Sequence, residues 1–340
     1  MRSITSLLLA STAFVSLPAY AQTLPADSNE ATDASEIVVI GRGETRQVQE
    51  LSTADLTILA AGTSPLKAIE KLPSVNFQSA DPFGNYEWST RVTIRGFNQN
   101  QLGFTLDGIP LGDMTYGNNN GLHVSRAISP ENIGVTRVSQ GAGSIGTQST
   151  NNLGGTLEFL SIDPADVLGF DTNLTYGSEN MMRGYARIGL GSEDGARAFI
   201  SGQYHKTDKW KGEGEQKTMM VNAKGILPLG DAALDAYVSY SDRAENDYQD
   251  LSLEMINRLG YDWDNFGPQN YNKALLVADI GANRGDTGAV PLNPNAGKIY
   301  PSPITSADDA YYDASGLRKD TVAALGLTAP LAGLTVQMKG

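Results

Sequence analysis

From Leu168 onward the chain is patterned in twos. Phe170, Thr172, Leu174 and Tyr176 alternate with Asp171, Asn173, Thr175 and Gly177. Gly184, Ala186, Ile188 and Leu190 alternate with Arg183, Tyr185, Arg187 and Gly189. The same rhythm sets Ala198, Ile200 and Tyr204 against Arg197, Phe199, Ser201, Gln203 and His205, and Leu234, Ala236 and Val238 against Asp235, Tyr237 and Ser239. A period of two is the side-chain period of a β-strand, so each run has one apolar and one mostly polar face. Strands of about ten residues are long enough to cross a bilayer at a tilt. The connections sort by parity. Ser178–Met181, Thr207–Lys217 and the very long Asp242–Leu317 fall on one side, and Ser192–Gly195, Pro228–Asp231 and Ala329–Gly333 on the other. Growing loops on one side and short ones on the other characterise outer-membrane barrels, whereas a soluble sandwich has no reason to sort them. Leu174, Ile188, Ile200 and Val238 are expected to face lipid, and Asn173, Arg187, Gln203 and Asp235 the lumen.

Composition agrees with this reading and removes rivals. Charged residues make up 19% of the chain, and there is no cysteine to form a disulfide or a thiolate zinc site. Only His123 and His205 are present, which argues against a histidine-rich metal or catalytic centre. A net charge of −13 disfavours nucleic acid as a partner, since phosphate contacts need basic clusters. After the first twenty residues no stretch is apolar enough to cross a bilayer as a helix.

The first half is organised differently. Residues 1–21 read as a secretory signal, with Arg2, an apolar core Leu7–Leu17, and Ala19-Tyr20-Ala21 as the cleavage site. Gln22–Ser35 is a polar tail without periodicity. Glu36, Ile37, Val38, Val39 and Ile40 form a short run of strong β propensity, available for pairing with another sheet or as a first strand of the domain that follows. Ser64 as N-cap, Pro65 at the first helical position and the stripe Leu66, Ile69, Leu72 predict a helix stopped by Pro73. Between Arg91 and Leu160, short strands are built on Val92/Ile94, Phe104/Leu106, Ile133/Val135/Val138 and Leu157/Phe159. Gly141-Ala142-Gly143-Ser144-Ile145-Gly146 matches a dinucleotide fingerprint, but turn-forming residues follow where a helix is required, so the glycines serve tight turning. No nucleophile elbow, metal spacing or phosphate loop remains, and no cofactor is expected.

Arg95-Gly96, Asp107-Gly108 after a strand, and the series ending in Gly154-Gly155 together resemble the plug domain of TonB-dependent outer-membrane receptors. The resemblance implies an α+β plug over residues 44–163, preceded by a tail (22–43) that carries a TonB box at Glu36–Ile40. Residues 168–340 would be the first part of an antiparallel transmembrane barrel of about 22 strands. Six strands and the start of a seventh are present, so the chain is expected to be a piece of a longer receptor. The resemblance implies a non-enzymatic importer partnered by TonB and outer-membrane lipid. Its cargo would be a large nutrient such as a ferric siderophore, with oligosaccharide or cobalamin as alternatives. A signalling receptor is disfavoured, because Gln22–Ser35 is too short for an extra folded domain. Plug loops facing outward would contact cargo, here Asn98, Gln99, Asn100 and Gln101 and, further on, Tyr116, Asn118, Asn119 and Asn120. Tyr86 and Trp88 are expected to pack on the plug, and the tyrosines and tryptophan of the long link, Tyr248 among them, to suit a sugar or an aromatic chelator.

Overall fold

The computed structural model describes residues 48–114, 121–141, 146–211, 214–246, 248, 253, 256–257, 316–332 and 334–340. Glu36–Ile40, Tyr116 and Asn118–Asn120 lie outside the described residues.

The first half forms two small sheets around one apolar core. The larger has the order β1-β7-β8-β5-β6, built from β1 (Val48–Ser52), β7 (Ile133–Gln140), β8 (Gly155–Ser161), β5 (Gly103–Leu106) and β6 (Ile109–Pro110). The smaller is β2-β3-β4: Val75–Gln78, Arg91–Ile94 and Phe97–Asn98. Three short helices accompany them, α1 (Thr53–Thr57), α2 (Pro65–Ala68) and α3 (Val124–Ala127). Ser64 caps α2 by accepting from the Leu66 amide, and Pro65 stands at its start. Leu66, Ile69 and Leu72 are buried with Val92, Ile94, Phe104, Leu106, Leu157 and Phe159. The predicted helix is shorter than its apolar stripe: Ile69–Lys71 tightens into a 3₁₀ turn before Pro73. Val135 departs from expectation. A register shift between Ile133 and Val135 turns it out of the core, leaving Ile133, Thr136 and Val138 buried.

Both motif dipeptides are two-residue hairpin turns. Arg95 and Gly96 (φ 52° and 82°) join β3 to β4, and Asp107 and Gly108 (φ 50° and 84°) join β5 to β6. A right-handed strand pair needs positive φ at both turn positions, which glycine and a short polar residue tolerate best. Asp107 also fastens its turn to β8, because its carboxylate accepts from the Ser161 amide (2.9 Å) and hydroxyl (2.6 Å). Gly154 and Gly155 answer to close approach: a Cβ would meet the Phe97 side chain at 2.3 Å in the first case and the Ser139 carbonyl at 2.3 Å in the second.

The second half is one seven-stranded antiparallel meander in chain order. Its strands are β9 (Gly169–Tyr176), β10 (Met182–Leu190), β11 (Arg197–Asp208), β12 (Glu215–Leu229), β13 (Ala232–Glu245), β14 (Gly316–Leu331) and β15 (Leu334–Lys339). Register lines up Phe170, Ile188, Ile200, Ala223, Val238 and Ala323 across the sheet at one level. On this face Leu174, Ile188, Ile200 and Val238 are exposed, at 82%, 44%, 52% and 48%. The opposite face packs on the first half: Gln203 is buried, and Asn173, Arg187 and Asp235 are partly covered. That face also holds Phe199 and Tyr237, both buried, so it is not purely polar.

Ile188→Arg should therefore destabilise the membrane-inserted protein by about 2–4 kcal/mol if the residue sits near the bilayer midplane. Denaturant unfolding from lipid vesicles measures it. An unchanged midpoint would mean that the two faces have been interchanged.

Candidate functional site

Two features carry chemistry, a polar contact between the two halves and an open vestibule above it. The contact is built on the segment His123–Asn132, which runs through α3 into β7. Asn132, fully buried, donates to Ser201 Oγ and Asn222 Oδ1 (2.8 Å each) and accepts from the Tyr185 hydroxyl (2.7 Å). The Ser129 amide donates to Asn222 Oδ1 (2.9 Å), and the Tyr237 hydroxyl to the Ala127 carbonyl (2.8 Å). Glu131 takes two hydrogen bonds from Arg183, at 2.5 and 2.8 Å. Lys224 pairs with Asp163 at 2.7 Å.

Beside it lies a charged cluster. Arg126 holds Glu87 through two nitrogens (2.7 and 3.2 Å) and Asp320 through a third (2.7 Å). Arg318 also reaches Glu87 at 3.3 Å and stacks over Trp88, and Arg243 donates to the Ser125 and Asn85 carbonyls. Burial pushes the Glu87 carboxyl up, but the positive charges of His123, Arg126 and Arg243 outweigh it and hold it at about 2. His123 is fully buried, and its Nδ1 accepts from the Ser125 amide to cap α3. Burial lowers its pKa to about 4; Glu87 opposes the shift, and Arg243, Arg126 and Arg318 reinforce it. The imidazole is therefore neutral at pH 7, where the arginines alone keep Glu87 charged.

The vestibule, of about 400 Å³, lies where loop 79–86 meets the links after β9 and β11. Asp81 shapes that loop: its carboxylate accepts from Ser79 Oγ and the amides of Phe83, Asn85 and Tyr86. Phe83 meets the His205 ring edge-on, with centroids 6.4 Å apart. Trp210 lies 5.8 Å from Tyr248, which packs edge-on against Tyr86. Glu179 and Asp208 complete the rim, and Trp210 is 58% exposed. The arrangement offers aromatic faces, carboxylates and amides to a medium-sized polar ligand. Among the described residues no group of three or more His, Asp or Glu side chains is placed to hold a metal ion.

The expected contact residues are only partly brought together. Asn98 and Asn100 are exposed. Gln99 is buried with both amide ends committed, Oε1 to the Val92 amide and Nε2 to the Met114 carbonyl, which makes it a strut of the plug. Gln101 folds back to accept from the Asn98 amide. Tyr248 and Tyr86 do meet, and Trp88 lies under Arg318. Asp81, Phe83, His205 and Trp210 were not legible as a site, because the sequence separates the first two from the last two by more than a hundred positions and signals only a turn at 79–87.

Residues 42–156 match a family model described as the TonB-dependent receptor plug domain. Among solved structures, the ferripyoverdine receptor of the Pseudomonas aeruginosa outer membrane aligns at 14% identity with a TM-score of 0.56, covering 89% of this chain and 37% of that one. The open form of the ferric-catecholate import receptor Fiu from E. coli K12 aligns at 16% identity with a TM-score of 0.55, covering 87% and 38%. The siderophore receptor PirA from Acinetobacter baumannii gives 14% identity and 0.51, covering 86% and 39%. The chain thus spans between a third and two fifths of the length of these receptors. A comparison with curated proteins finds no match.

The cluster predicts an acid-sensitive contact. The His123 pKa falls from 6.5 to about 4 on folding, so its stabilisation is complete above pH 6.5 and is lost as pH falls toward 4. Glu87, lowered from 4.5 to about 2, adds a second loss below 4.5. His123→Asn keeps a capping acceptor without the imidazole. It should lessen, by the His123 share, the dependence of the unfolding midpoint between pH 6.5 and 4 and leave the lower limb; an unaltered profile would exclude His123 as a titrating group.

Proposed function

Residues 42–156 carry the plug domain of TonB-dependent receptors, and from that premise we propose that this chain serves energy-coupled import across the outer membrane of a Gram-negative bacterium. The observation that carries the reading is the vestibule: a plug loop shaped by Asp81 and strand-end links bearing Trp210 and Tyr248 close around one space at the end of the sheet that carries its longer links. Its cargo is a ferric siderophore, as in the structural neighbours whose names state theirs. An exposed indole flanked by Glu179 and Asp208 favours a second cargo class, a neutral oligosaccharide stacking on Trp210. Exposed plug residues Asn98 and Asn100, with Tyr116 and Asn118–Asn120, are proposed as further cargo contacts.

Coupling runs through Glu36–Ile40, which pairs with TonB as an added strand. The outer membrane has no nucleotide supply, so work on the plug arrives as a pull. A pull on that tail reaches β1 first. Among the described residues β1 is an edge strand paired with β7 alone, and α1 after it buries none of its residues. The His123–Asn132 segment is bonded to five strands of the sheet, β10 to β14. The tail therefore yields before the bonded segment does.

Two substitutions separate binding from coupling. Val38→Pro removes a backbone donor needed for strand pairing, so uptake by cells should cease while cargo still binds. Trp210→Ala should weaken binding about tenfold, the value of one well-stacked aromatic. Undiminished uptake by Val38→Pro would refute the coupling assignment.

A further inference from the structure

A second cavity, of about 320 Å³, lies below the vestibule against the same part of the wall. Asp171 and Asn173 of β9 and Tyr185 and Arg187 of β10 line one side; Leu56 and Leu59, from the segment after β1, line the other. Vestibule and cavity are stacked along β10: Met181 borders the first, Tyr185 the second. Only Met182–Gly184 separates them, about 10 Å of strand. Arg183 fills that interval. It is 3% exposed and holds Glu131 through two hydrogen bonds, and its Nε is buried with no partner among the described residues.

The third wall of the constriction is Gly62. Its φ of +85° suits glycine, and a Cβ there would lie 2.3 Å from Arg183 Nε, so the backbone rests directly on the guanidinium. Gly62 is also tied upward, because the Asn85 side chain donates through Nδ2 to its carbonyl (2.6 Å) and the Ser64 backbone amide donates to the Phe83 carbonyl (2.8 Å). Loop 79–86, which shapes the vestibule, and the segment 53–64, which covers the lower cavity, are thus joined by these two hydrogen bonds.

We propose that the Arg183–Glu131 pair, roofed by Gly62, is a gate between an outer vestibule and an inner cavity, and that cargo passes along β9–β11 once the segment 53–63 is drawn away. This rests on the import reading above. When the pair parts it presents one guanidinium and one carboxylate to the path, which suits cargo rich in both hydrogen-bond donors and acceptors. The bonded contact at Asn132, Asn222 and Ser239 stays closed throughout.

The chain contains no cysteine, so each introduced thiol reports alone. Whole cells bearing Ser178→Cys (vestibule rim), Asn173→Cys (inner cavity) or Ser239→Cys (within the bonded contact) are treated from outside with a membrane-impermeant maleimide. With the gate intact, Ser178→Cys should react rapidly and Asn173→Cys at least about tenfold more slowly, since a buried ion pair must open first. Adding Arg183→Ala should bring Asn173→Cys close to the rim rate, while Arg183→Lys does so only in part and Ser239→Cys stays unreactive in both. Equal rates at Ser178→Cys and Asn173→Cys with the gate intact would overturn the gate. So would an Arg183→Ala background that leaves Asn173→Cys slow, or one that exposes Ser239→Cys equally, which would mean general loosening. A rim thiol that never reacts from outside would instead overturn the outward placing of the vestibule, and the import reading with it.

Discussion

Asn132 is fully buried, and its amide is satisfied by side chains of the opposite half: Tyr185, Arg187, Ser201 and Asn222. The rest of the structure depends on this kind of contact. Each such hydrogen bond contributes only about 0.5–1.5 kcal/mol net, but a buried partner left alone costs more. Such buried hydrogen bonds therefore hold the interface in one register. An apolar interface would be as strong and less particular. Packing the first half against a wall that is polar inside and apolar outside satisfies both environments of the sheet at once.

The contact is also unevenly distributed, and function is argued from that unevenness. One side of the plug is bonded through Ser129, Asn132 and Arg126. On the other side β1 pairs with β7 and is helped by the exchange of Arg137 between Glu50 and Glu158, a half-exposed pair of modest worth. The cavity against β9 and β10 lies under that weaker side. Local stability thus falls where a path would have to open, as is usual for elements that move.

Much of this architecture could be read from the residues. The two-residue alternation located the uncovered face because the first half packs on the other one only, and Ile188, Ile200 and Val238 are exposed on it. Asp107-Gly108 was legible as a turn because positive φ admits few residues, whereas Arg95, which continues the alternation of Val92 and Ile94, was not. β1 was not, since Val48-Gln49-Glu50-Leu51-Ser52 is a polar edge strand with one buried leucine. Gln99 was misplaced among cargo contacts because a glutamine in a polar run looks the same whether it binds solvent or props up a strand. Arg183, Glu131 and Gly62 carried no signal at all; an ion pair across more than fifty residues is a tertiary fact.

The claim that one side of the plug yields before the other can be measured directly by native-state hydrogen exchange on the membrane-inserted protein. The amides of Val48–Ser52 should exchange through an opening well below the global unfolding free energy, and earlier in denaturant than those of Leu157–Phe159 in β8, whose strand lies between β7 and β5. If both sets exchange together, in a single opening of equal free energy, the plug is one rigid unit and this account of its release is wrong.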